Sequence, residues 1–438
     1  MEQSELNRGL LEFLRRSPNC FFTVKNISEA LEERGYTPLG EGDRWVLEPG
    51  RGYYTVRGMS SLAAFRTPPE QAFGGFHILA CHGDSPSFRI KPNALITAEN
   101  RYVRLNVERY GGSLLSTWLD RPLSLAGRLL VRAGAGVESR LVNVDRDLLV
   151  IPHLAIHMDR SANEGWKYSV QRDMLPLFAA AGGPGDLTGL LAETAGCAPE
   201  DILDTDLFLY NRTPGTVFGL HNEFIGAPRL DDMQCVYAAL RGFLDSAGGN
   251  GLPVLAVFDT EEVGSASRQG AAGTFLADTL ERVSRCLGAD REDLRRILSR
   301  SFLLSADNAH AVHPAHGEKA DPVNRPVMNG GVVLKYSAAR KYTTDGFSGA
   351  VFRLLCQKAE VPVQTFVNHA DIPGGSTLGN ISGTQVSVPA VDIGLAQLAM
   401  HSAWETAGAA DTLHLARAAK AFFGCTLDIC GENARVEL

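Results

Sequence analysis

Carboxylates and imidazoles recur in this chain where apolar runs end. His82 and Asp84 stand in CHGDSP, directly after the run HILA. Asp231 and Asp232 stand in APRLDDMQ, at the opening of a helical pattern. Glu261 and Glu262 follow VLAVFDT, Asp307 closes FLLSAD, and His401 lies in QLAMHSAWE, just beyond the apolar run AVDIG. Each has a plain explanation when taken alone. Adjacent acids are common on solvated loops, and a histidine after an apolar strand more often makes a hydrogen bond than binds an ion. Their shared placement is what argues for chemistry. Nearly all fall at the carboxyl end of a predicted strand or in the turn after it, where open α/β sheets bind ligands. Carboxylates gathered in one crevice repel one another unless divalent cations neutralise them. Two imidazoles and three carboxylates suit zinc, with cobalt or manganese as substitutes. If one carboxylate bridges two ions, each ion keeps one terminal histidine and one terminal acid, with positions left open for water as catalysis requires. One acid of the Glu261–Glu262 pair then binds metal and its neighbour is free to take a proton.

The elements that must hold these residues are legible as texture. With 438 residues, two or three domains with ample core are expected. A hydrophobic content of 45% with 21% charged residues fits a water-soluble globular protein. The net charge of −8 argues against nucleic acid or an anionic membrane as partner. The opening MEQSELNRGL is polar, with no signal peptide, and no 18-residue apolar stretch occurs. The eight cysteines show no C-x-x-C spacing and read as reduced thiols, so a cytoplasmic location is expected. Helical and strand patterns alternate over residues 1–90, the texture becomes β-like over 91–224, and α/β alternation returns over 225–438. In RYVRLNVERY, for example, Val103, Leu105 and Val107 alternate with polar residues as in a half-buried strand. Continuous apolar strands between helices predict a mostly parallel sheet covered on both faces. The expected architecture is therefore one catalytic α/β domain built from both ends of the chain, interrupted by a β-rich dimerisation or lid domain.

The strings HGDSP, IPHLAIHM, NEFIGAPRLDD, FDTEEVGS, SADNAHAVHP and LAMHS together resemble the M18 metalloaminopeptidases, the aspartyl aminopeptidases, from about residue 8 to the C-terminus. The resemblance implies two divalent ions, expected to be zinc, with His82 and His401 as terminal imidazoles. It implies Asp231 as the bridging ligand, Glu262 and Asp307 as terminal carboxylates, and Glu261 as general base. Asp232 falls where relatives often carry Asn and is expected to support rather than ligate. Asp84 would orient the His82 ring. His157, His310, Lys335 and Tyr342 match substrate-contacting positions, with His157 also stabilising the oxyanion. From the residues alone, Lys335 reads as a solvent-reaching lysine, His310 and His313 as caps of the turn around Pro314, Tyr342 as packing, and His157 as structural. The resemblance further implies peptide substrates with a free N-terminus, preference for N-terminal Asp or Glu, and assembly into a dodecamer in which His157 serves a neighbouring subunit. A neutral-residue aminopeptidase, or a dinuclear carboxypeptidase or deacylase, would share the ligand order.

Overall fold

The strands Phe76–His82 and Leu252–Phe258 are buried at every residue, so both of their faces need cover. The computed structural model, which describes residues 2–69, 73–182 and 186–438, provides it. Successive side chains of a strand point to opposite faces. Accordingly Leu79, Cys81, Leu255 and Val257 join one core with the helices Leu230–Leu244 and Asp411–Gly424. Ile78, Ala80, Val254 and Ala256 join another with the helix Phe275–Cys286.

The two strands run parallel, with Phe258 opposite His82, so both end at one level of a nine-stranded sheet. On its other side Phe76–His82 pairs in parallel with Phe302–Ala306, which pairs in parallel with Ala390–Gly394. The four central strands thus open their carboxyl ends in the same direction, and the expected doubly covered, mostly parallel sheet is what the chain forms.

A second sheet of six strands spans Ser87–Ala98 to Ile202–Asn211 and is antiparallel throughout. It has its own core around Phe88, Leu105, Val107 and Trp118. The strand Tyr102–Tyr110 buries Leu105 and Val107, as the alternation predicts, while Glu108 and Arg109 are exposed. The helix Leu187–Ala195 runs from an Asp186 cap to a left-handed Gly196; the Gly-Pro opening of that segment, at 183–185, lies outside the described residues. A third sheet of five short strands, among them Phe224–Ala227 and Glu405–Gly408, was not expected. It leads directly into the Asp231 and His401 segments. No helix among the described residues is long and apolar enough to cross a membrane.

Candidate active site

The two imidazoles meet at Asp231. Its Oδ1 lies 3.5 Å from His82 Nε2 and its Oδ2 lies 3.4 Å from His401 Nε2. On the far side of His82, Asp307 Oδ1 stands 3.8 Å from the same Nε2. On the far side of His401, Glu262 Oε2 stands 3.4 Å from its Nε2. Ligand-type atoms therefore converge in overlapping groups. His82 gathers with Asp231, Asp232 and Asp307, and also with Glu261 and Glu262, while Asp231 gathers with Glu262 and His401.

Backbone geometry brings these side chains inward. His82 is the last residue of its strand, and Asp307 follows the strand beside it. Gly394, on the next strand, presses against this ligand: a Cβ there would lie 1.9 Å from the Asp307 carbonyl oxygen. Asp231 sits in extended conformation at the opening of its helix, after a left-handed Arg229 and before a cis peptide to Asp232. Asp232 Oδ2 accepts the backbone N–H of His82 at 3.3 Å. Glu261 and Glu262 stand in a tight turn after Thr260, whose φ is +62°.

Asp84 organises that turn. Its carboxylate accepts the backbone N–H groups of Glu261 and Glu262, each at 3.2 Å, and the Tyr110 hydroxyl at 2.6 Å. The His82 ring is held mainly by the Asp84 backbone instead: Nδ1 is 3.1 Å from the carbonyl oxygen and 3.5 Å from Oδ1. Three donors compete for the carboxylate, which is why it turns toward the Glu261–Glu262 backbone. Tyr110 comes from the six-stranded sheet and went unforeseen. So did Glu405, a buried acid that accepts the backbone N–H of both Asp231 and His401. Its only sequence signal is an acid four residues after His401.

The electrostatics fit a cation site. Burial pushes Glu261 up to about 8. Burial and the adjacent Asp231 carry Glu262 well above the ordinary carboxylate range. Against the opposing effect of burial, hydrogen bonds to the surrounding acids raise His82 well above its usual value and lift His401 to about 9. Asp231 Oδ1, Asp232 Oδ1 and Glu262 Oε1 are buried and accept no hydrogen bond. Unpaired buried carboxylate oxygens are costly, and divalent cations bound by O and N donors would satisfy them. The residues present thus fit a metal centre.

Lys335, His310 and Tyr342 are brought together beside it. His310 and Tyr342 each pack edge-on against Phe366, both with centroids 6.2 Å apart. Lys335 does not reach solvent. It is 2% exposed, donates to the Asn308 carbonyl at 3.0 Å, and lies 3.5 Å from Asp307 Oδ2 and 5.4 Å from the centre of the Tyr342 ring. Burial opposes its charge, but Asp307, Tyr342 and Asp392 together outweigh that and keep its pKa above the usual lysine value. His313 rather than His310 caps the turn, accepting from the Ala315 N–H at 3.1 Å. His157 stands apart: it is exposed in a turn at 156–158 and makes no hydrogen bond or ion pair among the described residues.

A parallel-centred α/β sheet with His82 at a strand end, and a buried carboxylate whose opposite oxygens face His82 and His401, define a metal-dependent hydrolase of the metallopeptidase class. The model of the M18 family, aminopeptidase I zinc metalloprotease, matches residues 13–423, and the chain belongs to that family of metalloaminopeptidases. It is 45% identical over 426 residues to the probable M18 family aminopeptidase 2 of Clostridium acetobutylicum, covering 96% of this chain and 98% of that one. Among solved structures it superposes on a chain from the cryo-EM structure of the Ape4 and Nbr1 complex with a TM-score of 0.93 at 34% identity, covering 96% of this chain and 86% of that one. The S. cerevisiae mApe1 dodecamer gives 0.83 at 26% identity, with 96% of each chain covered.

Proposed function

We propose that this aminopeptidase removes N-terminal Asp or Glu in preference to neutral residues from peptides with a free amine, using two metal ions that share Asp231. The observation that carries the two-ion reading is the division of one carboxylate: each oxygen of Asp231 faces a different imidazole, at 3.5 and 3.4 Å. His82 and Asp307 would hold one ion, and His401 and Glu262 would hold the other. Zinc suits these donors, and cobalt or manganese could replace it. When bound, the ions would polarise the first carbonyl and activate water.

The chain's own residues divide the remaining work. Glu261 takes a proton from the attacking water and returns it to the leaving amine. Asp84 fixes the backbone of the Glu261–Glu262 turn, so that one side chain ligates while its neighbour stays free. Lys335, with His310 and Tyr342, forms the wall for the first residue's side chain, where an ammonium favours acidic groups.

We also read the chain as a cytoplasmic homo-oligomer, with residues 1–90 and 225–438 forming the catalytic domain around an inserted 91–224 domain. Leu154 and Ile156, each 46% exposed, and Met158, 73% exposed, flank His157 and leave an apolar segment that a second copy would cover. The dodecameric relative supports the same reading. In the assembly His157 would stabilise the oxyanion in a neighbouring subunit's site. Mixing His157→Ala chains with Glu261→Gln chains is then expected to recover part of the wild-type activity. A mixture as inactive as its parents after confirmed subunit exchange would remove this role.

The substrate preference is tested by kcat/KM on matched Asp, Glu, Leu and Lys substrates, free and N-acetylated, for wild type and Lys335→Met. Only free-amine substrates should turn over. A charge-assisted hydrogen bond contributes roughly 1.5–3 kcal/mol, so the acidic-to-neutral ratio of Lys335→Met should fall by about one to two decades. Equal loss on acidic and neutral substrates would instead mean that Lys335 acts through Asp307. No change on any substrate would remove it from the site.

A further inference from the structure

Glu405 opens the strand Glu405–Gly408 and is 1% exposed. Its Oε1 accepts the backbone N–H of His401 at 2.7 Å, and its Oε2 accepts that of Asp231 at 3.0 Å, from 174 positions earlier in the chain. The two oxygens of one side chain thus fix two segments that no local structure connects. Both segments need fixing. His401 has a φ of +66°, and Asp231 follows a left-handed Arg229. Side chains other than glycine hold such backbone only where their surroundings impose it. The clamp is itself anchored, because Glu405 sits opposite Ala227 in the ladder with Phe224–Ala227, the strand that feeds into Asp231.

The geometry is lopsided. Of the two residues that Glu405 holds, His401 gathers only with Asp231 and Glu262, whereas Asp231 gathers with His82 as well. On the other side, the backbone of His82 donates to Asp232 and that of Asp307 to Ile393, so neither leans on Glu405.

We propose that Glu405 is a positioning residue that sets the spacing of Asp231 and His401 and thereby holds chiefly the ion on the His401 side, which loses two placed residues without it where the His82 side loses only Asp231. This rests on the two-ion reading above, and the experiment separates the two. Metal-free protein is titrated with zinc against a chromophoric chelator. Wild type is expected to take two ions per chain. Glu405→Gln keeps the shape and one acceptor oxygen but turns an amide N–H₂ toward a backbone donor. It should bind one ion as tightly as wild type and the second about 10–100-fold more weakly, as loss of outer hydrogen-bond partners typically costs. Glu405→Asp keeps the charge but is a methylene too short to reach both N–H groups, and should behave in the same way. In a His401→Ala background, adding Glu405→Gln should weaken the remaining ion by less than it weakens the second ion of the otherwise wild-type chain. The proposal is overturned if Glu405→Gln binds both ions as wild type does, if both ions weaken equally, or if Glu405→Asp restores full binding. A wild-type protein that takes fewer than two ions would overturn the two-ion reading instead.

Discussion

Glu261→Gln is expected to keep its metal and lose about two to four orders of magnitude in kcat, the range that removal of a general base usually costs. The two neighbouring acids have different surroundings, and that difference carries the expectation. Glu262 has a 3% exposed side chain with Oε2 3.4 Å from His401 Nε2. Glu261 is less buried and makes no ion pair among the described residues. Both backbones are tied to the Asp84 carboxylate, so exchanging one carboxylate oxygen for an amide nitrogen should leave the turn in place. KM should change little, since the substituted group moves a proton rather than binding the peptide. Metal analysis alongside kcat separates the roles: full metal content with a collapsed rate supports Glu261 as the base. Near-normal turnover would place the base elsewhere.

Asp231→Ala should have the opposite signature. Removing both oxygens takes away the carboxylate that turns one oxygen to each imidazole, so metal content should fall below one ion per chain and activity should vanish with it. Asp307→Ala and Glu262→Ala each remove a ligand from one side only, and each should leave about one ion in place, since each side is built from separate terminal groups. If Asp231→Ala retained two ions, the shared-carboxylate arrangement would be wrong however well the fold is preserved.

The residues that end long apolar runs were the legible ones. His82, Glu261, Glu262 and Asp307 each follow a strand whose continuous burial shows in the sequence, and the register of those strands brings their ends to one level. The five-stranded sheet was not legible, because strands of two to four residues are too short to show a period of two. Tyr110 and Glu405 were hidden for another reason. Tyr110 meets Asp84 from 26 residues away, and Glu405 shows in the sequence only as an acid four residues after His401, with its other partner 174 residues away. From its sequence Lys335 reads as a lysine reaching solvent from a strand end; Asp307 and the Asn308 carbonyl together make its burial tolerable. Asp84 lies beside His82, but its carboxylate serves the turn 177 and 178 residues away more than the ring beside it.

The most direct test of the account is anomalous diffraction at the zinc absorption edge from crystals of the zinc-loaded protein. Two peaks are predicted, one beside each carboxylate oxygen of Asp231, the first also within ligand distance of His82 and Asp307 and the second of His401 and Glu262. A single peak, or a pair of peaks that do not share Asp231, would contradict it.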